Sequence, residues 1–207
     1  MKNVLFVTIL ILGLSLTLNA RDIDGNIIVV KNGLSYEKDQ KEVFTGNAYF
    51  FFENGKTKKI VPYYQGLMDG RLTEWRSTGD IKTVAYFRKG KQDGEYIANY
   101  ENDKKAVVAY FKNGLQDGEV NTWHENGRKK SSSYFKNDLQ DGESKTWHDN
   151  GNLASQGNYI NGKKDGIHKK WHENGQLGYK AFLTNDKVVG EIDIWDQNGV
   201  YVPKKSI

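Results

Sequence analysis

From residue 42 onward, short runs in which apolar or small residues alternate with polar ones are punctuated by Asn-Gly, Asp-Gly and similar pairs. In Ile81, Thr83, Ala85 and Phe87, and again in Leu177, Tyr179, Ala181 and Leu183, every second residue is apolar or small, while Lys82 and Lys180 point the other way. A period of two is the signature of a half-buried strand. No apolar period of 3.6 residues is sustained, and the density of Gly and Asn disfavours helix, so almost none is expected here. Between Asn113-Gly114 and Asn137-Asp138, a second Asn-Gly pair at 126–127 divides the segment in two. Asn-Gly between alternating runs predicts a tight turn with positive φ at both residues. Each segment therefore reads as a β-hairpin, and successive hairpins as one antiparallel meander.

The punctuation is periodic. Gly46, Gly70, Gly94, Gly118, Gly142, Gly166 and Gly190 recur at steps of 24 without insertion or deletion. Gly55, Gly79, Gly127, Gly151, Gly175 and Gly199 keep the same step, with Asp103 standing in once. Phe51, Trp75, Trp123, Trp147, Trp171 and Trp195 form a third column, interrupted by Asn99, and Tyr63, Phe87, Phe111, Phe135, Tyr159 and Leu183 a fourth. Four columns in register mean a repeat array of about seven units. Two positions before the fourth column lies a set of mostly small residues, Val61, Ala85, Ala109, Ser133, Gly157 and Ala181. The space above them is assigned to the tryptophan column of the partner strand. Gly118 and its equivalents are expected at a bulge or a close-packed position.

The ends differ from the array. Met1-Lys2-Asn3, an uncharged apolar run from Val4 to Leu18, and Ala20 before Arg21 read as a secretory signal peptide cleaved between Ala20 and Arg21. The run is too short for a spanning helix, which wants roughly 20 residues. The domain reading is thus a signal helix at 1–20, an off-register capping hairpin at 21–41, and the array at 42–207, ending in a partial unit. Repeat arrays need atypical end units to cover an open sheet edge. The fold class is all-β: an elongated, curved, single-layer antiparallel meander of stacked 24-residue hairpins. With no cysteine, an exported chain must rely on burial and hydrogen bonding instead of disulfides. Its net charge of +4, from interleaved bases and acids, argues against nucleic acid as a partner.

The segments Asn113-Gly-Leu-Gln-Asp-Gly-Glu119, Trp123-His-Glu-Asn-Gly127, Trp147-His-Asp-Asn-Gly151 and Trp171-His-Glu-Asn-Gly175 resemble the bacterial variant of the MORN (membrane occupation and recognition nexus) repeat. The resemblance covers roughly residues 42 to 200. It implies stacked hairpins used for protein contacts or, in eukaryotic relatives, proposed lipid contacts. Some bacterial members are labelled antitoxins, which fits poorly with an export signal.

Candidate chemistry is sparse. His124, His148 and His172 fall two strands apart, about 10 Å, whereas the ligands of one zinc ion lie within about 2.1 Å of it. Asp69, Asp93, Asp117, Asp141 and Asp165 supply one acid per unit, too few for calcium, which takes six to eight oxygens; a turn-stabilising role is expected. An active site needs non-equivalent groups in one pocket, and this chain repeats the same groups. The expectation is a non-catalytic scaffold without cofactor or metal, contacting another protein in the cell envelope or at the cell surface. The alternatives are a carbohydrate or cell-wall binder using exposed aromatic columns, a lipid-surface binder, and an antitoxin-like partner of a toxin. No transmembrane segment is expected in the mature chain.

Overall fold

The computed structural model describes residues 20–203. The expected signal helix lies outside them, except for Ala20, which is exposed. The strands are β1 (Arg21–Asp24), β2 (Ile28–Lys31), β3 (Leu34–Glu37), β4 (Gly46–Phe51), β5 (Thr57–Tyr64), β6 (Leu67–Met68), β7 (Gly70–Trp75), β8 (Ile81–Arg88), β9 (Lys91–Asn99), β10 (Lys105–Lys112), β11 (Leu115–Gln116), β12 (Gly118–Trp123), β13 (Lys129–Lys136), β14 (Leu139–Trp147), β15 (Leu153–Ile160), β16 (Lys163–Lys164), β17 (Gly166–Trp171), β18 (Leu177–Thr184) and β19 (Lys187–Ile194). Seventeen of them form one sheet that does not close, and β2 and β3 pair separately. From β4 onward each hairpin arm pairs antiparallel with the next; β6, β11 and β16 are the leading pieces of β7, β12 and β17.

The sheet is mixed, not antiparallel throughout: β1 runs parallel to β4, with Arg21 opposite Gly46 and Asp24 opposite Tyr49. A parallel return needs a crossover of a dozen or more residues, and residues 25–45 provide it. They hold a 3-10 turn at Gly25–Ile27 and the β2–β3 hairpin. The crossover is tied to the first repeat by Ser35 N–H to Gly66 O at 2.8 Å, Phe44 N–H to Ser35 O at 2.9 Å and Gly66 N–H to Phe44 O at 2.7 Å. Phe44, only 2% exposed, meets Tyr63 edge-on.

Two turn geometries alternate. Asn113-Gly114, Lys89-Gly90, Asn137-Asp138 and their equivalents have positive φ at both residues, as a two-residue hairpin turn matching the strand twist requires. Asn126-Gly127 does not follow that expectation, because only Gly127 has positive φ. There a three-residue loop is closed by His124 N–H to Arg128 O and Gly127 N–H to His124 O, both 2.8 Å. The reason is the register shift where Trp123 meets Lys129, which leaves one extra residue that a left-handed position absorbs.

Among the described residues, no second layer covers either face beyond the first repeat, where the crossover packs against β4 and β5. Among the described residues, no large side chain is under 2% exposed. The small-residue column is faced directly by the first arm of each hairpin: Ala85 by Leu72 and Tyr96, Ser133 by Val120 and Ser144, Ala181 by His168 and Ile192. The tryptophans do not occupy that space, contrary to the sequence reading. Each sits at the strand-end bulge, half-buried, opposite Ile81, Lys129, Leu153 or Leu177 in the units of Trp75, Trp123, Trp147 and Trp171. The bulge shifts each ring out of line with the small column, a displacement that spacing along the chain does not reveal.

Candidate interaction face

Beside the Phe87, Phe111, Phe135 column stands Tyr86, Tyr110, Tyr134, one residue earlier and therefore on the opposite face of the sheet. These tyrosines are 37%, 41% and 48% exposed. Sequence reasoning missed them, although the 24-residue step was visible, because the neighbouring phenylalanines had taken the core role. Across the strands, Arg71 pairs with Tyr86, Glu95 with Tyr110, Glu119 with Tyr134 and Glu143 with Asn158. Paired residues share a face, so tyrosines and glutamates form one alternating ladder.

The repeated glycines seat this ladder. Gly94, Gly118 and Gly142 have φ of +123°, +128° and +122°, at the irregularity between the two parts of each first arm. A Cβ on Gly94 or Gly118 would come within 3.0 Å of the Cβ of Tyr86 or Tyr110, and one on Gly142 within 3.5 Å of that of Tyr134. On the other side the same glycines pair with Phe111, Phe135 and Tyr159. Both the backbone conformation and the crowding select glycine. Gly70 is approached by Pro62 at 3.2 Å, whereas Gly166 and Gly190 have nothing within 4 Å. The ladder is therefore confined to the middle units.

Its electrostatics are local. Tyr110 donates to Glu95 Oε1 at 3.0 Å, and this bond, with the charges of Glu95 and Glu119, holds its hydroxyl above the usual phenol pKa. Glu119 accepts from Ser132 Oγ at 3.0 Å. Glu143 is held below the usual carboxylate range by hydrogen bonds from Lys145 and Gln156, both 2.6 Å. One residue row inward, the same face carries Ile60, Thr73, Val84, Ile97 and Val108, then Asn121, Ser132, Lys145, Gln156, Lys169 and Lys180.

The histidine column ties units together. His124, His148 and His172 reach the carbonyls of Trp147, Trp171 and Trp195 through Nε2 at 3.0, 3.0 and 2.9 Å. A carbonyl only accepts, so Nε2 donates. At the equivalent position Tyr100 donates to Trp123 O at 2.7 Å and Arg76 to Asn99 O at 2.5 Å. Asn126 and Asn150 donate to Asp149 O and Glu173 O of the next turn while accepting from the backbone of their own. Gly127, Gly151 and Gly175 hold the left-handed position of these loops, and Asp103 fills it once, with φ of 63°. Asn99 replaces the tryptophan by donating to Ile81 O at 3.0 Å.

On the opposite turns, Asp69, Asp93 and Asp141 accept from the N–H of Lys89, Asn113 and Asn161 in the following turn, at 2.9 to 3.2 Å. His168 lies on the other face, 9% exposed, with Nε2 at 2.9 Å from Asn158 O. Burial pushes its pKa down. Among the described residues no three His, Asp or Glu stand close enough to hold a metal ion, and no helix is long and apolar enough to cross a membrane.

Comparison with known proteins adds one finding. No curated protein matches the chain. Residues 44–64, 116–137, 140–161 and 164–185 match the family described as the MORN repeat variant. The stretch between the first two segments, with Tyr86, Tyr110, Asn99 and Asp103, is unmatched yet has the same hairpin geometry. MORN repeats make protein or membrane contacts and are generally non-catalytic. Over four of its hairpins this chain is similar to that binding repeat.

Proposed function

We propose that the chain is an exported, non-catalytic scaffold that binds another protein in the cell envelope or at the cell surface. The observation that carries the protein-binding part is the open face with its tyrosine–glutamate ladder. Tyrosine supplies large, stiff contact area at low entropic cost, and the repeated carboxylates add charge selection. Both turn edges are occupied by bonds between units, which leaves the broad faces to make contacts. A cell-wall glycan reading asked for exposed tryptophan and tyrosine columns; the tryptophans are half-buried at bulges, and the open tyrosines alternate with carboxylates that give a neutral sugar no advantage. The export part is supported by the apolar leader and by the exposed Ala20 immediately before the first strand, which begins at Arg21.

The test combines fractionation with cross-linking in intact cells. Tagged protein should be recovered outside the cytoplasm beginning at Arg21, and cross-linked to a partner that the double variant Tyr110→Ala with Glu119→Lys no longer captures. Recovery from the cytoplasm with the leader intact would sink the export claim. Capture unchanged in the double variant would sink the assignment of the face.

A further inference from the structure

The ladder has a repeat distance, and we propose that it is read by a proline-rich, basic segment of the partner in polyproline II conformation, lying across the strands. This inference rests on the scaffold reading above, in which the partner is a protein.

Successive tyrosines are two strands apart, about 9.6 Å at roughly 4.8 Å per strand. A polyproline II helix has three residues per turn at about 3.1 Å each, so residues i, i+3 and i+6 return to the same side every 9.3 Å or so. From Tyr86 to Tyr134 the span is four strand spacings, about 19 Å, and six polyproline II residues cover about 18.6 Å. An extended β-strand covers about 10 Å in three residues, but its side chains alternate, so residues i and i+3 face opposite ways. An α-helix returns the same face after seven residues, about 10.5 Å, drifts by about 1 Å per ring, and needs about 15 residues to touch all three.

The chemistry agrees with the spacing. The exposed rings of Tyr86, Tyr110 and Tyr134 offer surfaces for prolines, as in aromatic-lined grooves that take such segments. Glu95 lies between the first two rings and Glu119 between the second and third, each placed to hold an Arg or Lys once per turn. The face fixes where the segment starts and stops. Arg71 opposes Tyr86 at one end, and Lys145 neutralises Glu143 beyond Tyr134 at the other. The apolar row Val84, Ile97, Val108 runs alongside the first two rings. A row of carboxylates gives no advantage to a neutral sugar polymer and repels an acidic one. Tyr86, Glu95 and Tyr110 fall in the stretch that does not match the repeat family, whereas Glu119 and Tyr134 fall in a matched segment.

Isothermal titration of the purified protein with a synthetic peptide of three Pro-Pro-Arg triplets tests the proposal. Binding is expected, weakened at least about tenfold by Tyr110→Ala and by Glu119→Lys. Glu119 is on the surface, so the second variant keeps the test alive if the first fails to fold. Phe182→Ala, an exposed aromatic change in the same column outside the ladder, should leave the affinity within about twofold. Replacing the prolines by alanine at constant charge should cost about tenfold or more, because the polyproline II preorganisation is lost. Equal binding of the alanine peptide, or indifference to both ladder variants, would overturn the proposal. So would binding of a β-1,4-linked N-acetylglucosamine oligomer in place of the peptide. No peptide binding, with cellular capture still abolished by the ladder double variant, would overturn this occupant and leave the scaffold reading standing.

Discussion

The two halves of the array share one backbone and differ in what fills it. On the ladder face the inner row is Ile60, Thr73, Val84, Ile97 and Val108 in the first half. In the second it is Ser132, Lys145, Gln156, Lys169 and Lys180, and each residue of the row pairs with the next from one half into the other. On the opposite face Ala85 sits between Leu72 and Tyr96, whereas the corresponding place further on has Ser133 between Val120 and Ser144. Hydroxyl pairs replace apolar contact there: Thr122 with Ser131 at 2.7 Å, Thr146 with Ser155 at 2.6 Å, and Ser133 with Ser144 at 2.9 Å. Apolar burial thus carries more of the fold in the first half and hydroxyl pairs more of it across β12–β15, before Ala181 and Leu183 are buried again in β18. That is possible because hairpin turns, bulge glycines and the ties between neighbouring units define the strand order, and each unit answers only to its neighbours. The row between the strands is left free to vary.

The sharpest way to break this comparison is at Gly157, where the smallest residue of its column faces the imidazole of His168. A Cβ there would overlap the ring, so Gly157→Val should cost about 3 kcal/mol in urea unfolding, at the upper end for overpacking. Ala85→Val in the apolar half should cost less, because Leu72 and Tyr96 can shift. Next in size, Val84→Ala should lose about 2 kcal/mol of buried methyl surface. The matching Gln156→Ala should stay within about 0.5 kcal/mol; equal losses would refute the division into an apolar and a polar half.

Asn121 marks the boundary, facing Val108 and Ser132 with a buried Oδ1 that has no hydrogen-bond partner. Asn121→Val should extend the apolar half by one strand and raise stability by about 1 kcal/mol, read as a higher melting temperature. A smaller effect is expected at the ties between units. Tyr100→Phe leaves the Trp123 carbonyl without its side-chain donor and should cost about 0.5 to 1 kcal/mol, detectable as faster amide exchange in the adjoining turns.

The last test is one of pH. Burial lowers the His168 pKa below 6.5, so the unfolded chain takes up a proton first as the pH falls. Its contribution is therefore complete above about pH 6.5 and diminishes as the pH drops towards the folded-state pKa. His168→Leu, which places the residue type of Leu72 in the same column, should remove that slope from a plot of stability against pH.

Much of this architecture was legible because its signals are local. Turn pairs such as Asn113-Gly114, the alternation through Ile81–Phe87 and the glycine step each act over a few residues, so strands, hairpins and their order followed from reading along the chain. The candidate face was not legible in the same way. Alternation puts Tyr86 on the side opposite Phe87, but only the cross-strand pairing shows that Tyr86, Tyr110 and Tyr134 line up with Glu95 and Glu119 between them. Asn126-Gly127 carries the same letters as Asn113-Gly114 yet turns differently, because the strand ends it joins are out of register by one residue.

Sequence by itself determined the repeat, the strand content and the position of the turns within the array, since φ preferences and side-chain alternation are properties of short segments. Tertiary structure alone decided that β1 returns parallel, that the tryptophans sit at bulges, that histidines tie one unit to the next, and that tyrosines and glutamates interleave on one face. Each of these depends on register between strands, which is set by a bulge or a crossover and leaves no mark on the spacing of residues along a single strand.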